Sequence, residues 1–457
     1  MVDDQTAQPP LSGAVKVGYG AGELGVAAAE FFVRVYLLKL YVDVVGLSAS
    51  VAGVVLASAA VWDAVTDPLM GEISDRTRRR SGRRRPWIGL GAMLTAACFI
   101  VLFVPPEGLG QTAGALYLLL AYLAFNTALT VIAVPHAALG GELSSNAKTR
   151  NEVFGWRFLF ANLGLVLAIA APAALSGAGA VEVTGSVGWL AGAVLLSGLV
   201  TVAATRGYDR PVTSTSRTSL AAFVGSLRRI ATARPFRPLV LAYLAGSIGL
   251  TVNSSLALFY YEHRLQLAER EVFLWILLPF ALVIALSIGG WVLLARRFGR
   301  RRTAFFGVFL LGAGTTVVYP LFPPGELLGP VIWGLVGGLL VGSVFLFDAA
   351  VADVVDWDEA VSGVHREGLY FGVWRMTSKM ARALGLAVSG WFLDAAGFVA
   401  GAPAQSDGTA LGIALAFGPG VGVLFIAGAL IWLCFPLDET KHERVIRIIA
   451  WRRRRSG

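Results

Sequence analysis

Two aspartates, Asp63 and Asp67, stand four residues apart in the run Trp62-Asp63-Ala64-Val65-Thr66-Asp67-Pro68, which is embedded in apolar sequence. On a helix that spacing places both carboxylates on one face, about one turn from each other. Within an apolar medium they cannot both stay ionised unless a cation or a proton lies between them. With the Thr66 hydroxyl they offer hard oxygen donors, suited to Na+ or to H+ exchange. Lys379, in another apolar run, needs a carboxylate partner, and Asp63 is the expected one. Glu30 and Arg34 form a further i,i+4 pair, read either as a self-satisfied bridge or as a clamp facing a solute. Arg157 is a candidate cavity cation. Asn126, Thr127 and Thr130 add polar groups to a run that continues to Pro135 and His136, and His136 reads as a packed, satisfied histidine. Asp348 reads as a gate residue or as one close to a mouth of the pathway. The stretch Gly20-Ala21-Gly22-Glu23-Leu24-Gly25 matches a dinucleotide-binding pattern. It lacks the preceding strand that pattern requires, so Gly18, Gly22 and Gly25 read as close helix-packing positions.

These charges are conspicuous because the rest of the chain is apolar. Of 457 residues, 56% are hydrophobic and only 15% charged, against roughly 25% charged in soluble domains. A soluble enzyme, a disordered scaffold and a disulfide-built secreted domain are thereby excluded. Cys98 and Cys434 both lie in apolar runs and supply neither a disulfide framework nor a metal cluster. The four histidines are scattered and no Ser/His/Asp constellation occurs, so no catalysis and no cofactor are expected. Apolar runs long enough for a bilayer core fall at 20–44, 48–71, 87–105, 113–138, 153–175, 185–205, 237–260, 272–295, 303–322, 328–352, 369–397 and 408–436. They predict an all-α integral membrane protein of twelve transmembrane helices. Residues 1–12 are polar, so no cleaved signal peptide is expected.

Arginine placement orients the helices. Arg76 to Arg85, Arg206 to Arg237, Arg296 to Arg302 and the terminal Arg452 to Arg455 fall in alternate connections, while the others hold little beyond Arg264 and Arg270. By the positive-inside rule both termini are cytoplasmic. The net charge of +9 is therefore a topology signal and an attraction to anionic lipids, not a nucleic-acid patch. The chain divides into a six-helix half (1–205), a polar cytoplasmic linker (206–236), a second six-helix half (237–436) and a basic tail (437–457). Gly82-Arg83-Arg84-Arg85 and Gly299-Arg300-Arg301-Arg302 recur 217 residues apart, as a duplicated unit requires. Bundles built this way bind solute between their halves and alternate access by rocking.

Several of these motifs resemble those of the glycoside–pentoside–hexuronide:cation symporters of the major facilitator superfamily, and in pattern the melibiose-permease type. The resemblance rests on Tyr41 to Ser48, Trp62 to Gly71, the loop Ser74-Asp75-Arg76-Thr77 through Gly82-Arg83-Arg84-Arg85-Pro86-Trp87, and Ala352-Asp353-Val354-Val355-Asp356. It implies a cation site at Asp63, Thr66, Asp67 and Thr130, with threonine at position 66 where the permease usually has asparagine. It also implies a coupling lysine at Lys379, a cavity arginine at Arg157, and a cytoplasmic gate of Arg150, Asp353 and Asp356. The sugar-binding carboxylates of that type correspond here to Ala27 and Ala133, and the sugar-stacking tryptophan to Ala137. A galactoside site is thereby lost, and Glu30 and Arg34 could supply another clamp. Sodium-coupled lysophosphatidylcholine symporters likewise keep the cation site and the lysine while lacking the sugar acids. The expected function is secondary active symport, coupled to Na+ or H+, of a small organic or an amphipathic solute. A monomer in the cytoplasmic membrane, in contact with lipid, is expected.

Overall fold

The computed structural model describes residues 11–77, 82–143, 147–175, 183–208, 233–362, 367–400, 402 and 404–456. No strand occurs among them. The helices are α1 (Gly13–Lys39), α2 (Ala49–Arg76), α3 (Arg85–Phe103), α4 (Gln111–Glu142), α5 (Ala147–Leu175), α6 (Val183–Ala204), α7 (Phe236–Arg264), α8 (Glu269–Phe298), α9 (Arg300–Leu321), α10 (Leu328–Ser362), α11 (Glu367–Ala395), α12 (Asp407–Trp432) and α13 (Glu439–Ser456). The twelve expected segments fall on α1 to α12. Their ends differ from expectation by up to ten residues, the most at α10, because polar turns such as Glu72 to Arg76 and Asp353 to Ser362 continue the helices beyond the apolar core. Most of the expected linker, 209–232, lies outside the described residues.

Ten of these helices are long and apolar enough to cross a membrane by length and composition. Of the remaining three, α1 and α11 are just as long but heavily charged, and α13 is short and basic. Lys16, Glu23, Glu30, Arg34 and Lys39 lie on α1, and Arg375, Lys379 and Arg382 on α11. Charges on an apolar bundle must find partners or water, so these two helices mark where the interior is polar. On other helices large side chains point outward: Leu286, Leu321 and Trp189 are each 70% exposed or more, a surface that suits acyl chains rather than water.

Close backbone approach sets the helix positions. Along α1, a Cβ added at Gly18, Gly22 or Gly25 would lie within 2.4 Å of atoms of Ala204, Thr201 and Val194 on α6. The glycines of the dinucleotide-like stretch are thus a helix–helix contact. At the α2–α11 crossing, a Cβ on Gly390 would lie 2.1 Å from the Ala49 carbonyl oxygen, and one on Gly53 would lie 2.8 Å from that of Leu386. This crossing sets Lys379 of α11 opposite the carboxylates of α2.

The recurrence read in the sequence has a structural counterpart. Gly82 and Gly299 both take left-handed backbone, with φ of +110° and +84°, the region that favours glycine. Each is followed by an arginine that reaches a carboxylate: Arg83 bonds Glu142 at 2.5 Å, and Arg300 bonds Asp353 at 2.6 Å. Both α1 and α7 also run into a π-helical turn, Leu40–Val44 and Tyr260–Arg264.

Candidate cation and solute site

Asp63, Asp67 and Lys379 meet in the middle of the bundle. The Lys379 ammonium lies 3.1 Å from Asp63 Oδ2 and is hydrogen-bonded to Asp67 Oδ2. It thus serves both carboxylates of α2, where Asp63 alone was the expected partner. The Thr130 hydroxyl of α4 donates to Asp67 Oδ1 at 2.8 Å. Thr66, expected beside it, instead donates to the carbonyl of Trp62 one turn back, at 3.2 Å, the usual resting bond of a helical threonine. Asp63 is buried at 7% exposure, and its Oδ1 has no hydrogen-bond partner among the described residues. Asp63 and Lys379 border a cavity of about 20 Å³ that also touches Asn126, Tyr122 and Arg382, enough for one water-sized occupant. Two carboxylates and one ammonium leave one negative charge over, and the donors are all oxygens. The set fits a small hard monovalent cation or a proton.

A second cluster, on α1 and α11, adjoins the first. The readings for Glu30 included a bridge to Arg34 on its own helix, but its ion pair is with Arg382, at 3.4 Å. Among the described residues Arg34 makes no ion pair and its buried Nε has no acceptor. Tyr122 and Tyr243 stand in the electrostatic surroundings of Arg34. Asp348 of α10 accepts from the Trp374 indole at 2.6 Å, and Trp374 stacks on Tyr243 with ring centroids 3.9 Å apart.

A third cluster pins α5 to α1. Arg157, expected as a cavity cation, is clamped bidentately by Glu23, Nε to Oε2 at 2.6 Å and Nη2 to Oε1 at 3.0 Å. His136 is packed: it is 1% exposed, stacks on Tyr19 with centroids 4.5 Å apart, and places Nδ1 3.3 Å from Glu23. Ala27, Ala133 and Ala137 are half-buried on α1 and α4.

At the end of the bundle that carries α13, Asp353 pairs with Arg300 and lies 3.6 Å from His442 of α13, whose Nε2 is 2.9 Å from Asp356. The two acids of the expected gate thus hold the tail helix. Arg150 lies on α5, with its side chain outside the described residues. Val445 and Ile449 of α13 pack with Ala360 and Trp357 of α10. At the opposite end Lys39 of α1 bridges Asp43, at 2.6 Å, and Glu262 of α7. There the Ser50 amide donates to Asp394 of α11 at 3.1 Å, and Tyr36 stacks on Phe273 of α8 at 5.4 Å. These contacts tie α1 to α7 and α8, and α2 to α11, at that end.

Two participants escaped sequence reasoning. Glu23 sat within a glycine-rich stretch read only for packing. Arg382 follows Lys379 by three residues on the same helix face, and its charge in an apolar run was as strong a signal as that of the lysine.

The family profile described as MFS/sugar transport protein matches residues 18–439. An uncharacterised symporter of Synechocystis is 26% identical, covering 94% of this chain and 95% of its own. An Escherichia coli protein assigned as a glycoside/cation symporter is 27% identical over 97% and 96%, and the sodium-dependent lysophosphatidylcholine symporter 1-A of Danio rerio is 26% identical over 93% and 85%. Among solved structures, a bacterial homologue of the human lysosomal transporter Spinster superposes with a TM-score of 0.68 at 15% identity, covering 93% of this chain and 97% of that one. The nucleoside transporter NupG gives 0.66 at 13%, covering 91% and 98%. At such identities these two establish the fold alone. With a profile match spanning nearly the whole bundle, the chain belongs to the MFS/sugar transport protein family and is a multi-pass membrane transporter, not an enzyme.

Proposed function

We propose that the protein is a cation-coupled symporter that works by alternating access. Its two six-helix halves, α1–α6 and α7–α12, rock about a site at the midplane, with both termini cytoplasmic and the chain acting as a monomer in the cytoplasmic membrane. The observation that carries the reading is the α2 carboxylate pair sharing one lysine from the opposite half. Na+ or H+ binds at Asp63 and Asp67, with Thr130 as a further donor. To bind, it takes over the carboxylates that Lys379 holds, and thereby loosens one of the contacts joining the halves. Thr66 reaches the ion only after leaving its bond to Trp62. The solute, a small organic molecule, sits between the halves near Glu30, Arg34 and α11. Ala27, Ala133 and Ala137 support a second reading, an amphipathic solute such as a lysophospholipid, because small side chains leave room for an apolar body. Cation binding and solute binding strengthen each other reciprocally. Asp353 and Asp356 act in the cytoplasmic gate.

The test is thermal stability of the purified protein in detergent, in NaCl against choline chloride at constant ionic strength and across pH. A ligand that binds only the folded state raises its stability by mass action. A saturable Na+ shift, or a pH-dependent one, that disappears in Asp63→Asn supports the reading. Indifference to both ions refutes it.

A further inference from the structure

We infer that Arg34 and Arg382 form the receptor for an anionic group on the transported solute, a carboxylate or a phosphate ester, so that the protein carries an organic anion together with its cation. The inference rests on the transport reading above and names the class of solute. One carboxylate, Glu30, serves two guanidiniums. It pairs with Arg382 at 3.4 Å, while Arg34, one turn further along α1, has no ion pair among the described residues. The two arginines lie near enough to repel each other. A membrane bundle gains no stability from a pair of like charges with one counter-ion between them, and an anion supplies the missing charge. Guanidinium groups suit that task, since their planar donors match a carboxylate or phosphate edge.

The position relative to the cation site gives the pair its role. Arg382 borders the same cavity as Asp63 and Lys379, and the charges of Asp63 and Arg382 act on each other across it. The carboxylate pair with its lysine carries one negative charge too many; the arginine pair with its glutamate carries one positive charge too many. In the empty protein each excess compensates the other. A cation arriving alone removes the field that balances Arg382, so an anion then binds more tightly, and by linkage the anion tightens the cation. Both together restore neutrality. Coupling in this account is an electrostatic exchange across one cavity, and it requires no long relay of side chains.

The experiment measures thermal stability of the purified protein in NaCl and in choline chloride with five probes. They are glucuronate and its neutral counterpart glucose, lysophosphatidate and monoacylglycerol of the same chain length, and inorganic phosphate. The expected result is stabilisation by at least one of the three anions, greater in Na+ than in choline, with no effect of its neutral counterpart. Response to glucuronate places the anion on a sugar-like solute, and response to lysophosphatidate on a lipid. Arg34→Gln and Arg382→Gln each raise the half-stabilising anion concentration at least tenfold, and Arg34→Lys raises it by less. Monodisperse elution of each variant shows that it is folded, and Glu30→Gln/Arg382→Gln removes the anion effect without stranding the glutamate. Equal stabilisation by a neutral counterpart, an anion effect that survives Arg34→Gln, or no effect of any anion on a wild type that responds to Na+ or pH overturns the inference. A wild type that responds to no cation and no pH change fails earlier, at the transport reading itself.

Discussion

Replacing Lys379 by alanine separates two roles that a lysine at this position could have. It removes the only ammonium bonded to Asp63 and Asp67 among the described residues and leaves Thr130 in place as a neutral donor to Asp67. Two carboxylates one turn apart, with Cβ atoms about 5–6 Å from each other, repel by roughly 3 kcal/mol at an effective dielectric constant near 20. That repulsion is relieved when a cation binds. At about 1.4 kcal/mol per factor of ten, it allows Na+ affinity to rise by up to roughly a hundredfold. The wild-type protein lacks this gain because Lys379 already supplies the charge and must yield its bonds before Na+ can take them. The assay is thermal unfolding of wild type and Lys379→Ala over a NaCl titration, with choline chloride holding the ionic strength. Without Na+ the variant unfolds at a lower temperature than wild type; in saturating Na+ the gap closes, and half of the shift is reached at a concentration at least tenfold lower. A folded Lys379→Ala with a weaker Na+ response than wild type would refute the reasoning. Lysine would then build the ion site instead of competing for it.

Three other perturbations test the supporting structure. Arg157→Gln strands the half-buried Glu23 and costs about 3–5 kcal/mol; adding Glu23→Gln recovers most of it, so thermal unfolding of the two single variants and the double gives a strongly non-additive cycle. Gly390→Val drives a side chain into the Ala49 carbonyl, costs about 1–3 kcal/mol by overpacking, and weakens the Na+ response because the crossing no longer holds Lys379 opposite Asp67. At the tail, the Lys441 amide donates to Asp438 at 2.8 Å and holds this carboxyl below its usual range. A depressed value means that the cap contributes above the ordinary aspartate range and is lost as pH falls through the lowered value. Amide protection in 439–456, taken as exchange relative to an unstructured chain at the same pH, accordingly falls at acid pH in the wild type, and is low and insensitive to pH over that range in Asp438→Ala.

The parts of this molecule that could be read in advance are those where a residue violates its surroundings. Asp63, Asp67 and Lys379 announce themselves because charge in an apolar run is costly, and four-residue spacing on a helix fixes which pairs share a face. Partners from distant helices have no such local signature. Glu30 was equally compatible with Arg34 on its own helix and with Arg382, 352 positions away, and only the reach of the two side chains toward each other in the folded bundle decides. Thr66 shows a second limit: composition reveals a hydroxyl, whereas its rotamer and the competing bond to the Trp62 carbonyl belong to the folded helix. Ten helices of membrane-crossing length were legible from length and hydropathy. Their order around the bundle is set by contacts such as Gly390 against Ala49, where a missing side chain is the information. Glu23 was obscured for that reason, since it lies among glycines whose purpose is packing.

The central claim is that Asp63 and Asp67 exchange Lys379 for the coupling ion. Infrared difference spectroscopy of the purified protein reads those carboxylates directly, because Na+ shifts the carboxylate stretching bands and H+ replaces them with a protonated carboxyl band. A difference spectrum is expected between Na+ and K+, or between neutral and mildly acid pH. Its carboxyl bands vanish in Asp63→Asn and shrink in Asp67→Asn, and they persist in Lys379→Ala at lower ion concentration. Bands that persist in the Asp63→Asn/Asp67→Asn double variant would contradict it, placing the coupling ion elsewhere in the bundle.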